Sequence, residues 1–588
     1  MGIGYTIDTP LKVSQFGIDS IISLVDDILL EKIRKMYCQK FELPYLEISN
    51  KIDDFRAKRI TSYLNLMNEL VESKFEELKS TAEEKGNDLK EFFNLLPDGS
   101  HLKQEFKRIS DKYLHISDLK DWLNKNLTMG SIDVNIMTKV DRDNYANGEK
   151  LPAEFNDAHS ALRGFANSNL QSSVVLSAGM NPRLYSYMEQ FQDFFPDESG
   201  FIKKKIILKV SDYKSALIQG KFFAKKGLWV SEYRIESGLN CGGHAFATDG
   251  HLLGPILNTF REKRMQLNSE IQELFKKSLT RAGRIVPNVD MPFKITAQGG
   301  VGTAEEHEFL LDHFEVDSVG WGSPFLLVPE ATTVDKNTLD RLMEAKEQDI
   351  YLSDISPLGV PFNSLKGNTK DLEKELMVEK GKPGSSCPKK YAALNSEFTE
   401  EGLCIASSRY QNLKIKELKK EEGLSSGQYQ EKYQRIVVKS CTCVGLGTSA
   451  LIAHDLDTKT EGLGVSVCPG PNLAYFSRIM SLREITDHIY GRADVMNRPD
   501  RPNMFIKELR IYVDFLREKI RESQHERTSK QEVYFLKFSE NLNEGISYYR
   551  NLFGELKDKF QDKKASILKE LDDCFSEIHL LKKEFNSK

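Results

Sequence analysis

The chain has 588 residues, of which 40% are hydrophobic and 29% are charged. A chain of this length exceeds one compact core, so we expect roughly two or three domains. The net charge of −5 and the pI near 6.2 show that the chain lacks the excess of basic residues typical of a nucleic-acid-binding protein. No run approaches the roughly eighteen apolar residues of a membrane span. The first residues also lack the basic and apolar regions of a secretory signal, so we expect a cytoplasmic protein.

The N-terminal part predicts a strand that begins near Pro10 and turns at Gly17. In a β/α barrel the chemistry lies at the carboxyl ends of the strands, which makes Gln15 in this turn a candidate cofactor contact. Highly charged helical sequence then fills residues 52–125. Charge at helical spacing is typical of an exposed face, so we predict a solvated helical insertion there.

From residue 132 onwards, short β-prone runs alternate with helical sequence. The runs begin at Ile132, Ser172, Lys204 and Gly227, and a long helical segment covers residues 254–282. This alternation indicates a parallel sheet that is buried on both faces. No Gly-x-Gly-x-x-Gly follows an early strand, which disfavours an open dinucleotide-binding sheet. We predict an α/β fold of the (β/α)8 TIM-barrel type.

Two further strands end in glycines. The first, at residues 294–300, ends in Gly299 and Gly300, and the second, at residues 318–325, contains Gly322 and Ser323. In a β/α barrel, the loops after the last two strands present backbone N–H groups to a phosphate. Glycine lets the backbone approach the anion and frees φ, and the Ser323 hydroxyl adds a donor. The sequence therefore predicts a phosphate site, with two ordinary tight turns as the alternative.

Gly242, Gly243 and His244 follow the strand before these two. A histidine held by a glycine turn at the mouth of a barrel titrates near neutral pH and can move a proton beside a bound cofactor. We therefore predict that His244 is catalytic. A histidine that only packs or caps a loop is the alternative.

Three motifs in this order resemble the nitronate monooxygenase (2-nitropropane dioxygenase) family, which includes the flavin-dependent enoyl-ACP reductases. They lie at residues 239–244 (Leu-Asn-Cys-Gly-Gly-His), 297–300 (Ala-Gln-Gly-Gly) and 320–325 (Gly-Trp-Gly-Ser-Pro-Phe), with Pro-Glu at 329–330. The resemblance covers residues 200–370 by motif and 1–200 by architecture. The family's Gly-Met-Gly turn after strand one is replaced by residues 14–17 (Ser-Gln-Phe-Gly), and Ser323 replaces the usual threonine while keeping the hydroxyl.

The resemblance implies a barrel that binds FMN, with Gly243 against the flavin and His244 as the acid/base. Strand position places Gln15, Lys139 and Lys209 near the flavin, where a lysine would stabilise the anionic reduced ring. The phosphate would lie on the two glycine loops, and the expected contacts there are Gln298, Gly299, Gly300, Gly320, Trp321, Gly322 and Ser323. NAD(P)H or a redox partner protein would supply electrons.

Five of the eight cysteines fall in one segment, at positions Cys387, Cys404, Cys441, Cys443 and Cys468. In a cytosolic protein, clustered cysteines are more often metal ligands than disulfides. Cys-Pro and Cys-x-Cys turns expose backbone N–H groups to the sulfurs of an iron–sulfur cluster. Four of the five would hold a [4Fe–4S] cluster. A zinc ion with four thiolates and buried cysteines without a ligand stay open as alternatives.

We divide the chain into an FMN-binding barrel (1–370), a cysteine-rich module (371–500) and a helical tail (501–588), which forms a hairpin or a homodimer surface. The predicted function is that of an FMN-dependent oxidoreductase acting on a small organic substrate, with no nucleic-acid or membrane partner. One alternative is an isomerase or lyase that binds a phosphorylated metabolite. The other is a zinc-stabilised scaffold on a barrel without redox activity.

Overall fold

The computed structural model describes residues 3–80, 87–110, 116–177, 179–240, 249–359, 361–387, 389–496, 498, 500–523 and 527–586. The helices in these ranges are α1 Thr9–Val13, α2 Asp27–Lys40, α3 Phe55–Ser80, α4 Asn87–Leu95, α5 His101–Ser110, α6 Ile116–Asn126, α7 Asp157–Ala166, α8 Pro182–Tyr187, α9 Tyr213–Ala224, α10 Leu253–Arg281, α11 Ala304–Phe314, α12 Lys336–Glu344, α13 Thr369–Glu379, α14 Ser408–Leu418, α15 Ser426–Val437, α16 Thr442–Ala453, α17 Leu482–Ile489, α18 Met504–Glu522, α19 Ser529–Glu555 and α20 Lys564–Asn586. The strands are β1 Ser20–Ser23, β2 Ile132–Met137, β3 Tyr145–Ala146, β4 Glu149–Lys150, β5 Ser172–Ser177, β6 Lys204–Val210, β7 Val230–Glu236, β8 Lys294–Gln298, β9 Ser318–Gly320, β10 Ile350–Ser353 and β11 Phe362–Leu365.

A seven-stranded sheet in the order β1-β2-β5-β6-β7-β8-β9 forms the centre of the molecule. All six strand pairs are parallel, as the sequence predicts. Every strand contributes side chains to one and the same cavity, which requires the sheet to curl around it. The contributing residues include Ser23, Asn135, Val175, Ile207, Arg234, Thr296 and Ser318.

The sheet resembles a barrel but does not close, which corrects the prediction of a closed eight-stranded (β/α)8 barrel. Within the described ranges, the outer edges of β1 and β9 pair with no further strand. Non-strand segments line the cavity as well, among them Ile3 near the N-terminus and Leu446 of α16. The Gly4 N–H donates to the Leu446 carbonyl at 3.1 Å and joins these two segments. The C-terminal half of the chain thus supplies part of the wall.

The first strand lies later than the sequence predicts. Residues Thr9–Val13 are helical, and Pro10 fits there because the first turn of a helix needs no N–H from it. A 3-10 helix at Ser14–Phe16 and a left-handed Gly17 (φ 74°) follow, and only then does β1 begin. Gln15 therefore precedes β1 instead of following a strand's carboxyl end.

Helix α3 differs from the expected solvated insertion. Ile60, Tyr63, Leu64, Met67 and Val71 on its inner face are fully buried in the main core. A Cβ on Gly164 of α7 would lie 2.7 Å from the Ile60 Cβ, so these two helices cross closely. The charges mark only the outer face of an amphipathic helix. Helices α4 and α6 add a smaller core with the end of α3, formed by residues such as Phe75, Phe92, Phe93 and Leu123.

The helical tail packs on the barrel through α18 and α19. Helices α19 and α20 form a hairpin whose apolar residues, for example Phe538, Tyr549 and Leu571, belong to the main core. Tyr549 lies so close to the start of α10 that a Cβ on Gly254 would approach its ring to 2.3 Å. The homodimer surface stays a prediction.

No single helix in the described part of the chain has the length and apolar composition needed to cross a membrane. Helices α15 and α16, bent by 47° at a short break, meet those two criteria only when taken together.

Candidate active site

The cavity inside the curled sheet has a volume of about 860 Å³. Ligand pockets usually measure roughly 300–1,000 Å³, so this one has the size for a cofactor or a substrate. It extends to the carboxyl ends of β7, β8 and β9, where Asn240, Gly299 and Gly322 contribute to its wall.

The loop after β8 requires glycine at two positions. Gly299 and Gly300 have φ values of 104° and 85°. A Cβ on Gly300 would lie 2.4 Å from Leu239 Cδ1, and a Cβ on Gly299 would lie 2.9 Å from Ser237 Oγ. The backbone conformation and the close packing both exclude larger side chains here.

The loop after β9 lies beside the loop after β8, because Gln298 and Gly320 are partners in the strand register. We call the two segments, residues 299–300 and 321–323, the glycine loops; all five residues line the cavity. Gly322 has φ −133°, so a left-handed backbone does not explain glycine at this position, contrary to our expectation.

Three backbone N–H groups of the glycine loops lack an acceptor in the described part of the chain. No described residue accepts a hydrogen bond from the N–H of Gly299, Gly300 or Gly322. Buried backbone N–H groups are nearly always paired, so adjacent unpaired donors on a cavity wall are typical of an anion site.

A buried ion pair holds the first glycine loop from behind. The Arg501 guanidinium donates to the Gly300 carbonyl at 2.7 Å and pairs with Glu306 at 2.8 Å, and both charged side chains are 2% exposed. Glu306 also accepts from the Gly302 N–H at 2.9 Å. Asn472 donates to the Val301 carbonyl at 2.8 Å. The segment before α18 therefore fixes the path of this loop.

Glu236, at the end of β7, organises the polar wall beside the glycine loops. It pairs with Lys209 at 2.6 Å and accepts from the Gln298 amide at 2.6 Å. The Asn240 amide donates to the same Oε1 atom. Lys209 thus lines the cavity, and a carboxylate already compensates its charge; its contact with a flavin stays a prediction.

A second set of charges lies deeper in the cavity. Arg234 pairs with Glu232 at 2.8 Å, and Thr296 donates to Glu232 at 2.6 Å. Burial opposes the charge of Arg234, but Glu232 raises the pKa of Arg234 above its ordinary value. Burial raises the pKa of Asp133, against hydrogen bonds from Ser131 and Ser173 that favour its charged form. The interior is therefore polar, with Arg234 and Glu232 paired and Asp133 held by hydrogen bonds from Ser131 and Ser173.

Of the remaining predicted contacts, Gln298, Gly320, Trp321 and Ser323 line the cavity. Gln15 and Lys139 are not among the cavity-lining residues. The Lys139 side chain instead passes beside Gly179, where a Cβ would lie 3.2 Å from Lys139 Cε. Gly243 and His244 belong to residues 241–248, which lie outside the described residues; Asn240, just before them, is part of the cavity wall.

Glu508 of α18 joins the two chain segments that flank residues 241–248. Its carboxylate accepts from the Leu253 N–H at 2.9 Å and from the Gly238 N–H at 3.4 Å. Burial raises the pKa of Glu508 to about 7, although these hydrogen bonds lower it. Glu508 is not among the residues predicted from the sequence; its spacing of four from Tyr512, on the apolar face of the predicted helix, is the signal that marks it.

The cysteines of the module separate into two groups. Cys387 and Cys441 share a hydrogen bond. Burial raises the pKa of Cys404 to about 11 and of Cys443 to about 12, whereas the hydrogen bond from Cys441 lowers the pKa of Cys387 to about 6. Cys468 is buried in the main core. Among the described residues, no three His, Cys, Asp or Glu side chains are placed to hold one metal ion.

No protein-family model matches the chain, and no curated protein matches it. Among solved structures, the chain is similar to the enoyl reductase domain of MlnA from the macrolactin biosynthesis cluster of Bacillus amyloliquefaciens. The two share 15% identity, and the match covers 64% of this chain and 86% of that one, with a TM-score of 0.34. A TM-score of this size does not establish a shared fold. The chain is thus an α/β protein with a curled, seven-stranded parallel sheet around one polar cavity.

Proposed function

We propose that the protein is an FMN-dependent oxidoreductase of the nitronate monooxygenase type that acts on a small organic substrate. The observation that carries this proposal is the pair of adjacent glycine loops: both line one large cavity, and the N–H groups of Gly299, Gly300 and Gly322 have no acceptor among the described residues.

The described residues fit the phosphate of FMN. A side chain at Gly299 or Gly300 would collide with Ser237, Asn240 or Leu239, so glycine allows this loop to pack closely on the segment after β7. Hydrogen bonds to a charged acceptor contribute about 1.5–3 kcal/mol each, so two or three such donors hold a phosphate firmly. The Ser323 hydroxyl stands at the same wall. When bound, FMN supplies hydride or electron transfer.

In this proposal the protein's own residues shape the cavity wall and transfer the proton of the substrate. Glu236 fixes Lys209, Asn240 and Gln298 in one hydrogen-bonded group next to the glycine loops. That group holds the cavity wall in a defined shape, and Glu236 compensates the charge of Lys209 within it. His244, four residues after Asn240, supplies or removes the proton of the substrate in this proposal.

A phosphorylated metabolite would use the same donors, and an isomerase or lyase is therefore the second candidate function. A pure scaffold is disfavoured because it has no physical need for two left-handed glycines packed against Ser237 and Leu239.

The test is the cofactor content of the full-length protein after purification without added flavin. We expect flavin absorption bands and about one FMN per chain after denaturation, identified by chromatography against FAD and riboflavin. A colourless protein that also takes up no FMN when FMN is added would reject the flavin proposal. A colourless protein stabilised by a sugar phosphate would favour the second candidate.

A further inference from the structure

We propose that the half of the cavity at the amino ends of the strands binds a carboxylate group of the substrate, and that Arg234 is the residue that recognises it. The inference rests on the proposed function for the use of this cavity. It deepens that function by naming the substrate class, a carboxylic acid with an apolar body. Two features carry it: the donors of Arg234 and the end at which the cavity opens.

The cavity runs along the strands from one end of the sheet to the other. Lys294 at the start of β8 and Gln298 at its end both line it. A strand rises about 3.3 Å per residue, so the backbones of these two residues lie about 13 Å apart. The glycine loops come after Gln298, at the carboxyl end. A phosphate bound on those loops leaves the half of the cavity around Lys294 open to a second group.

The cavity opens to solvent at the amino ends of the strands. Of the described residues that line it, those with exposed side chains all lie at this end: Asp19, Phe201, Lys205, Pro292, Lys294 and Ser318. Lys205 and Lys294 form no ion pair within the described ranges, and Asp19 is the one acid in this set. Exposed cations at an entrance raise the rate at which anions arrive. The entrance therefore favours an anionic substrate.

Arg234 presents two donors to this half of the cavity. Its Nε atom donates to Glu232 at 2.8 Å, and among the described residues neither terminal amino group has a hydrogen-bond acceptor. The side chain keeps 23% of its surface exposed although it lies inside the sheet. Glu232 lies two positions earlier on the same strand, so this pair directs the guanidinium towards the amino end. The two terminal amino groups match the two oxygens of a carboxylate.

Glu232 holds Arg234 without using its terminal amino groups. Oε1 of Glu232 accepts from Arg234 Nε and also from the Thr296 hydroxyl at 2.6 Å. An incoming carboxylate therefore adds to this pair and does not have to displace Glu232. Thr296 and Arg234 are register partners on neighbouring strands, which fixes the position of the whole group.

Asp133 of β2 is a further acidic group in this half of the cavity. Its Oδ1 atom accepts from the Ser131 hydroxyl at 2.7 Å and from the Ser173 N–H at 2.8 Å. Burial raises the pKa of Asp133, although these two hydrogen bonds lower it. A raised pKa means a smaller negative charge, so Asp133 repels an anion less than an ordinary aspartate would.

Apolar side chains beside Arg234 provide a surface for the carbon skeleton of the substrate. Trp229, Met291 and Phe293 precede or begin the amino ends of β7 and β8, and all three line the cavity. Ile207 of β6, the register partner of Glu232, lines it as well. A pocket that combines apolar walls with a few fixed polar groups is typical of small-molecule sites. The subsite therefore suits a carboxylate carried on an apolar chain or ring.

The test compares hexanoate with hexanamide, which has a similar shape but no charge. Each is titrated into the full-length protein at neutral pH by isothermal titration calorimetry. We expect hexanoate to bind at least about tenfold more tightly than hexanamide, because only the carboxylate accepts charge-assisted hydrogen bonds from both amino groups. R234Q should abolish this preference. R264Q is the matched control and should keep it, because Arg264 pairs with Asp317 outside the cavity.

Three outcomes would overturn the proposal: equal or undetectable binding of the two compounds to the wild-type protein, a preference for hexanoate that survives R234Q, or a preference that is lost in G300A but not in R234Q. The last result would place the carboxylate on the glycine loops. Where R234Q fails to fold, phenylglyoxal modification of the wild-type protein decides. Hexanoate should protect Arg234 in peptide mapping, and an unprotected Arg234 would also overturn the proposal.

FMN content is measured in the same samples, so the two proposals fail separately. A preference for hexanoate in a protein that binds no flavin would reject only the proposed function. Bound FMN without any preference for hexanoate would reject only the carboxylate subsite.

Discussion

Substituting Gly300 by alanine perturbs the proposed phosphate site at its tightest point. The new Cβ would lie 2.4 Å from Leu239 Cδ1 and 2.8 Å from Leu239 Cβ, whereas carbon atoms in contact are normally about 3.5–4.0 Å apart. Either the loop or Leu239 must therefore move by about 1 Å. A shift of this size breaks one or two hydrogen bonds to the phosphate, each contributing about 1.5–3 kcal/mol. We expect FMN to bind G300A at least about tenfold more weakly than wild type.

The left-handed backbone adds a cost in stability. At φ 85°, alanine costs about 1–2 kcal/mol before any clash is counted. Gly283 is the matched control, because its φ is 63° and nothing lies within 4 Å of a Cβ built there. Urea unfolding and FMN titration of both variants separate the two effects: G283A should lose stability only. If G300A binds FMN as tightly as G283A does, the glycine loop does not hold the phosphate.

Further predictions concern the groups around the cavity. E306Q leaves buried Arg501 without its counter-charge and should lower the free energy of unfolding by about 3–5 kcal/mol in urea titrations. The control is E308Q, on the same helix as Glu306, which removes only an exposed ion pair with Lys559 and should change the free energy of unfolding by less than about 1 kcal/mol. Burial raises the pKa of Glu508 from 4.5 to about 7, so the folded protein retains a proton that the unfolded chain releases. Stability should therefore fall by up to about 3 kcal/mol as the pH rises from about 4.5 to 7, and E508Q should flatten this slope in unfolding curves; an unchanged slope would assign it to other groups. H244A should retain FMN but lose turnover of a nitronate about 10²–10⁴-fold in steady-state assays, and full activity would remove His244 from the mechanism.

Local patterns predicted the parallel sheet and the glycine loops. Short apolar runs at Ile132, Ser172 and Lys204 became β2, β5 and β6, because burial on both faces requires such runs. Gly299 and Gly300 were recognised because a left-handed turn leaves few other residues possible. Pro10 led to a wrong position for the first strand, because proline is also favoured in the first turn of a helix.

The contacts that shape the site join distant parts of the chain, and no local pattern contains them. Arg501 meets Glu306 across 195 positions, and Tyr549 meets Gly254 across 295. Lys209 was placed at the cavity by strand position, but its pairing with Glu236 depends on how neighbouring strands are staggered. An eighth strand, which the described residues lack, could not be ruled out from local sequence for the same reason: the segments at Ile3 and Leu446 that line the cavity come from distant parts of the chain.

Comparing FMN with riboflavin tests the central claim most directly, because the two differ only in the phosphate. Both are titrated into flavin-free protein, and the dissociation constants are measured by fluorescence quenching. Two or more charge-assisted hydrogen bonds from the glycine loops predict that FMN binds at least about 100-fold more tightly than riboflavin. The same comparison in G300A should give a much smaller ratio. Equal affinities in the wild-type protein would show that the glycine loops do not bind the phosphate.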